Sequence, residues 1–141
     1  MISFVVCLVV CFLWKKPSLG LLVGYIFLVL AETVLIREPF VGEHLKLELF
    51  WSWRVWSIQR RQVVTNVIMF MPIGLFSGWL WKWRGLFIAI ILSASIEFLQ
   101  LITQRGLMEF DDVIHNCLGA LIGIGFVILI KKVLSLRAVR Q

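Results

Sequence analysis

The sequence predicts an all-α fold, a polytopic membrane helical bundle of about five transmembrane helices with one amphipathic interfacial segment between the second and third. Three observations predict it. Of the 141 residues, 61% are apolar and only 16% are charged, against about 25% charged in an ordinary soluble domain. Mean hydropathy is +0.98. The charges also fall in a few clusters, separated by nearly uncharged runs of the length that a helix needs to cross a bilayer, about 20 residues. Together these exclude a globular cytosolic enzyme, a disulfide scaffold and a disordered chain. They leave a single membrane domain over residues 1–141, with no room for a separate soluble one.

The first expected span is Met1 to Trp14, closed by Lys15, Lys16 and Pro17. As a helix it reaches about 21 Å, so flanking residues must complete the crossing. A signal peptide fits less well, because the charges follow the apolar run and no small-residue cleavage site precedes Lys15. The second span is Leu19 to Ile36, carrying Glu32 and stopped by Arg37, Glu38 and Pro39. The third runs from Val63 to Trp81 with Pro72 inside it, the fourth from Gly85 to about Gln104, and the fifth from Val113 to Ile130, stopped by Lys131 and Lys132.

The connection over residues 37–62 is the long one. From Leu45 to Val55 the odd positions are all apolar, alternating with Lys46, Glu48, Ser52 and Arg54, a strand-like period. Leu45, Leu49, Ser52 and Trp56 could also trace a helix face. Trp51, Trp53 and Trp56 suit the headgroup layer, so the segment is expected on the membrane surface.

The formal charge is +6, from 14 Lys and Arg against 8 Asp and Glu. In so apolar a chain this fits the positive-inside effect rather than nucleic-acid binding. With five spans, Lys15, Lys16, Lys82, Arg84, Lys131, Lys132, Arg137 and Arg140 share one side without an acid. That places the N-terminus outside and the C-terminus in the cytoplasm of a multi-pass cell-membrane protein. Cys7, Cys11 and Cys117 lie in apolar runs and read as free thiols. No His and Cys pair has metal-ligand spacing, no metal site is expected, and the sequence names no cofactor.

Polar groups inside spans are costly, on the order of 2.5–3.5 kcal/mol at mid-bilayer, and usually face a bundle interior. Ser93, Glu97, Gln100 and Gln104 recur at helical spacing on one face of the fourth span; Asp112, Asn116, Gly119 and Gly123 do so on the fifth. Alternating span directions then gather Glu32, Asn66, Glu97, Gln100, Arg105, Asp111, Asp112, His115 and Asn116 in one leaflet, the outer one on this topology.

The ordered string Asn66, Phe70-Met-Pro72-Ile-Gly74, Glu97-Phe-Leu-Gln100, Arg105, Asp111-Asp112 and Asn116-Cys-Leu-Gly119 resembles the VanZ-like family of small bacterial membrane proteins, over about residues 60–130. The resemblance implies a polytopic cell-envelope protein, linked in some members to resistance against the glycopeptide teicoplanin. It supplies a context, not a reaction, so whether the protein is an enzyme stays open.

Each polar residue has a sharp and a bland reading. Glu97 and Asp112 are the candidate proton-transfer groups, with Arg105 as the catalytic partner that clamps a phosphate or carboxylate by its planar fork. Equally, Glu97 could hold helices together through Arg105 or Asn66, and Arg105 could serve only to neutralise Glu97 and Asp112. Asn66, Gln100, Asp111, His115 and Asn116 are candidate substrate-binding residues. Against that, Asp111 suits capping of the fifth span, His115 suits packing, and Asn66 and Asn116 suit interhelical hydrogen bonding. Pro72 with Gly74 reads as a kink that opens a cavity below Asn66, and Gly119 and Gly123 as a close helix contact. The mixture of carboxyls, one arginine and amides fits a phosphate- or sugar-bearing head group better than a passing ion.

Three functions follow. An enzyme would act on a lipid-linked cell-wall precursor. A small-molecule or lipid transporter of flippase type would bind and release a head group, and at this size would call for a homo-oligomer. A non-catalytic module would bind a ligand such as the glycopeptide itself. Membrane lipids are partners in all three.

Overall fold

The computed structural model describes residues 17–39, 41, 42 and 44–139, so the expected first span, Met1 to Trp14, lies outside the described residues, as do Cys7 and Cys11. Five helices and two short strands follow in order: α1 (Pro17–Leu30), β1 (Leu45–Lys46), α2 (Trp51–Arg54), α3 (Trp56–Trp81), α4 (Gly85–Thr103), β2 (Met108–Glu109) and α5 (Phe110–Val139). A π-helical turn, Ala31–Leu35, extends α1, and a 3-10 turn, Lys82–Arg84, links α3 to α4. Among the described residues three helical stretches are long and apolar enough to cross a membrane: Pro17–Leu35, Trp56–Thr103 and Phe110–Ala138. The second contains the Lys82–Arg84 reversal, so its two arms correspond to the expected third and fourth spans.

The apolar runs become helices because in lipid every backbone N–H and C=O must be satisfied within the segment. What then holds the helices is backbone approach. A Cβ added at Gly119 would meet the Val67 carbonyl, one at Gly123 the Met71 carbonyl, and one at Gly74 the Ala120 carbonyl. Contact positions rise together along α3 and α5, so these two helices run parallel, touching along a face of small residues. At Gly85 a Cβ would meet Ser77, which brings α4 back along α3. Tyr25 on α1 donates its hydroxyl to the Met69 carbonyl on α3 at 3.0 Å. The apolar core is Leu22, Val29, Val34, Phe70, Ile73, Ala89, Ile96 and Ala120. Phe87, Ile91, Phe98, Ile102, Phe126 and Leu129 lie exposed on the outside. Polar side chains are buried and large apolar ones exposed, the inversion that a lipid surround requires.

Three sequence expectations change. The alternation over Leu45 to Val55 does not make a long strand: Leu45 and Lys46 alone pair, in parallel, with Met108 and Glu109. Beyond them no partner strand continues the ladder, and the chain turns into α2 instead. The third helix begins at Trp56, seven residues before the expected Val63, so the last part of the connection joins the helix, while Trp51 and Trp53 lie in α2. The fifth begins at Phe110 and runs to Val139, longer at both ends than expected.

The segment that precedes α3 is fastened by Asp111. Its Oδ1 accepts the Phe50 N–H at 2.6 Å, and its Oδ2 accepts the Ser52 N–H at 3.1 Å and the Ser52 hydroxyl at 2.6 Å. The first N–H groups of a helix have no partner inside it. Here a carboxylate from another helix satisfies them, so Asp111 caps α2 rather than its own α5.

Candidate functional site

At the end of the bundle where α3 and α5 begin, a pocket of about 520 Å³ opens between four elements. The last turns of α1 with its π-helical extension contribute Glu32 and Thr33, followed by Arg37. From α3 come Arg61, Gln62, Thr65 and Asn66, a run at helical spacing down to Met69; from α4, Ile96, Glu97 and Gln100; from α5, Asp112 and Asn116. Volumes of 300–1,000 Å³ are those of drug-sized ligand sites.

Local backbone explains how Glu97 and Gln100 come to share this wall. Gln104 takes a left-handed conformation, φ 54°, and the Arg105 N–H returns to the Gln100 carbonyl at 3.2 Å, a Schellman closure of α4. The chain then doubles back, and the Glu109 N–H donates to Glu97 Oε2 at 2.9 Å. Gln62 Nε2 donates to Asp112 Oδ2 at 2.9 Å and to Glu109 Oε1 at 3.3 Å. Trp51 Nε1 donates to Glu109 Oε2 at 3.1 Å. Burial, then the Asp112 charge, pushes the Glu109 carboxyl above its ordinary 4.5, against the hydrogen bonds from Gln62 and Trp51 that pull it down.

The inner wall is buried: Glu97 is 2% exposed, Asn116 2%, Gln100 3% and Asp112 8%. Asn116 Nδ2 donates to Ser93 Oγ at 2.9 Å, and Gln100 Nε2 to the Thr33 carbonyl at 3.1 Å. The other ends of these amides, Asn116 Oδ1 and Gln100 Oε1, have no hydrogen-bond partner among the described residues; nor has Asn66 Nδ2. A buried polar atom without a partner costs about 1–3 kcal/mol, so three of them in the wall of one pocket are positioned for a guest. Arg37 and Arg61, by contrast, are exposed at its rim. The site can thus hold an anion at the rim, hydrogen-bond a polar group within, and exchange a proton at Glu97 or Asp112.

Of the residues singled out from sequence, Asn66, Glu97, Gln100, Asp112 and Asn116 line this pocket together. Arg105 does not: its Nη1 donates to the Leu35 carbonyl at 2.6 Å, because the turn at Gln104 aims it at the end of the π-helical extension. Arg37 occupies the place that sequence reasoning gave to Arg105. Asp111 also lies outside, spent on Phe50 and Ser52. His115 is buried behind Asp112, its Nδ1 3.8 Å from Asp112 Oδ1 and its ring 6.3 Å from that of Trp53. Sequence reasoning missed Arg37, Arg61, Gln62 and Glu109. Gln62 lies one helical turn before Asn66, and that spacing was the available signal once α3 is extended to Trp56. Glu109 carried none.

No curated protein and no solved structure matches the chain. A model of the VanZ/LLP1 family matches residues 4–131. With nearly the whole sequence covered, and Asn66, the Glu97-x-x-Gln100 pair and Asp112 meeting at one pocket of a helical bundle, the chain belongs to the VanZ/LLP1 family.

Proposed function

We propose that this protein binds, and acts on, the polar head group of a lipid-linked or cell-wall molecule at the outer leaflet, and through that contributes to glycopeptide resistance of the teicoplanin type. The observation that carries the reading is the pocket itself: buried, unpartnered amide atoms beside two carboxyls, with two arginines at the rim. Glu97 or Asp112 would transfer the proton, and Arg37 would hold an anionic part of the substrate. Size argues against capture of the antibiotic. A glycosylated peptide antibiotic is several times larger than a guest for about 520 Å³, whereas a head group fits.

The outer-leaflet placement rests on the opposite end of the bundle. Lys82, Arg84 and Lys131 gather there, and Lys131 donates to the Trp79 carbonyl at 2.7 Å while standing over the Trp79 ring. A basic, aromatic end of this kind suits the cytoplasmic face.

The test is teicoplanin and vancomycin susceptibility of a host expressing the wild-type chain, Glu97→Gln or Arg37→Ala at matched membrane levels. The expected result is a teicoplanin resistance gain with wild type that both substitutions abolish. Equal susceptibility in all three and in the empty host rejects the role.

A further inference from the structure

The pocket is polar in one direction. Its rim carries Arg37 and Arg61 beside a single acid, Glu32, all three exposed. Its interior carries the Glu97 and Asp112 carboxyls, and among the described residues no Lys or Arg lies within ion-pair distance of either. The interior also presents acceptors. The Gln100 amide has a fixed orientation, because the Thr33 carbonyl can only accept and so must face Nε2; Oε1 is therefore the atom left unpartnered in the pocket. At 3% exposure this side chain is almost wholly buried.

The two halves meet at Gly106. A Cβ built there would stand 3.1 Å from Gln100 Oε1 and 3.2 Å from Arg37 Nη1. A rim donor and an interior acceptor thus flank one small space, left free by the missing side chain.

We infer that the guest is a phosphorylated amine, its phosphate between Arg37 and Arg61 and its ammonium directed inward to Glu97 and Gln100 Oε1. The inference rests on the pocket reading above and narrows it to a ligand class. Arginine forks match phosphate oxygens. Buried carboxyls with no Lys or Arg within ion-pair distance favour a guest that brings a cation, and an ammonium has donors and no acceptor, which suits an acceptor-rich interior. A neutral polyol would satisfy the amides and bring no cation to the carboxyls. The same chemistry is offered by a zwitterionic lipid head group and by a soluble phosphorylated amine.

The experiment uses the full chain in maltoside micelles, which contain neither phosphate nor amine. Titration calorimetry with glycerophosphoethanolamine, glycerol 3-phosphate and ethanolamine should show the first binding at least tenfold tighter than either other probe. Arg37→Ala combined with Arg61→Ala should reduce it to the level of ethanolamine. Both arginines are exposed, so this variant keeps its fold. Glu97→Gln should reduce it to the level of glycerol 3-phosphate.

Three probes binding alike, or none binding, overturns the inference, as does an affinity unchanged by these substitutions. In nanodiscs, blockage of the soluble probe by phosphatidylethanolamine but not by phosphatidylglycerol assigns the ligand to the membrane; an unaffected titration assigns it to a soluble source. If glycerophosphoethanolamine fails to bind while Glu97→Gln and Arg37→Ala still abolish the susceptibility gain, the ligand class is wrong and the pocket reading stands. Binding in the expected pattern without a susceptibility gain has the opposite meaning.

Discussion

Ser52 gives both its backbone N–H and its hydroxyl to the same oxygen of Asp111, at 3.1 and 2.6 Å, across 59 residues of sequence. With the Phe50 N–H on the other oxygen, one carboxylate ties the segment before α3 to the first turn of α5. That segment carries Trp51, which reaches Glu109, and leads directly into the part of α3 that lines the pocket.

Replacing Asp111 with Ala should therefore loosen this segment before it unfolds the bundle. Each donor left buried without an acceptor costs about 1–3 kcal/mol. The expected outcome is faster hydrogen exchange at the Phe50 and Ser52 amides and new proteolytic cleavage between residues 45 and 55. Ser52→Ala, which removes one of the three bonds, should show a smaller effect in the same place.

The arginines separate the site from its scaffold. Arg105→Ala removes the bond to the Leu35 carbonyl and should lower stability by about 0.5–1.5 kcal/mol. Arg37→Ala should change thermal stability by less than about 0.5 kcal/mol, as exposed substitutions usually do, yet abolish the susceptibility gain. The reverse pattern would return Arg105 to the role that sequence reasoning gave it.

Helix contact depends on particular glycines. Gly119→Ala and Gly123→Ala drive a methyl into the Val67 and Met71 carbonyls, and overpacking of this kind costs about 1–3 kcal/mol. Gly125, two residues on from Gly123, has nothing within 4 Å of its Cβ position, so Gly125→Ala should leave the melting temperature in micelles unchanged or slightly raised. Equal behaviour of all three would mean that α3 and α5 do not pack as described.

Glu109 provides a pH signature. Burial first, and the neighbouring Asp112 charge second, raise its carboxyl above 4.5. Between 4.5 and the folded value the native state binds more protons than the unfolded chain, so its contribution to stability is full below 4.5 and is lost as pH rises through the folded value. The stability of wild type relative to Glu109→Gln should fall over that interval and level off above it, in thermal denaturation measured by tryptophan fluorescence.

Much of the helical layout was legible because apolar run length and polar interruption act locally: α4 was expected from Gly85 to about Gln104 and ends at Thr103. The inward face of α4 was legible too, since Ser93, Glu97 and Gln100 recur at helical spacing. What was not legible depends on partners far along the chain. The alternation from Leu45 to Val55 suits a strand, but a strand needs a neighbour, and Met108 with Glu109 supplies only two residues of one. Arg105 carries the right charge beside the right motif, and a single left-handed residue, Gln104, turns it away. Arg37 looked like a helix stop, and its place at the pocket comes from how α1 leans on α4 through Thr33 and Gln100.

The parallel pairing of α3 with α5 sets an order of events during synthesis. Two parallel helices in one chain must be separated by a full return crossing, here α4, so the glycine-faced side of α3 stays bare until α5 leaves the ribosome. Until then Ser93 and Glu97 lack Asn116 and the Glu109 N–H. A nascent chain halted at Thr103 presents the membrane insertion machinery with a hairpin whose polar face is unmatched. Arrival of α5 is thus the assembly checkpoint, and a nonsense mutation just after Thr103 removes Asp112 and Asn116 from the ligand site along with the helix that α3 packs against.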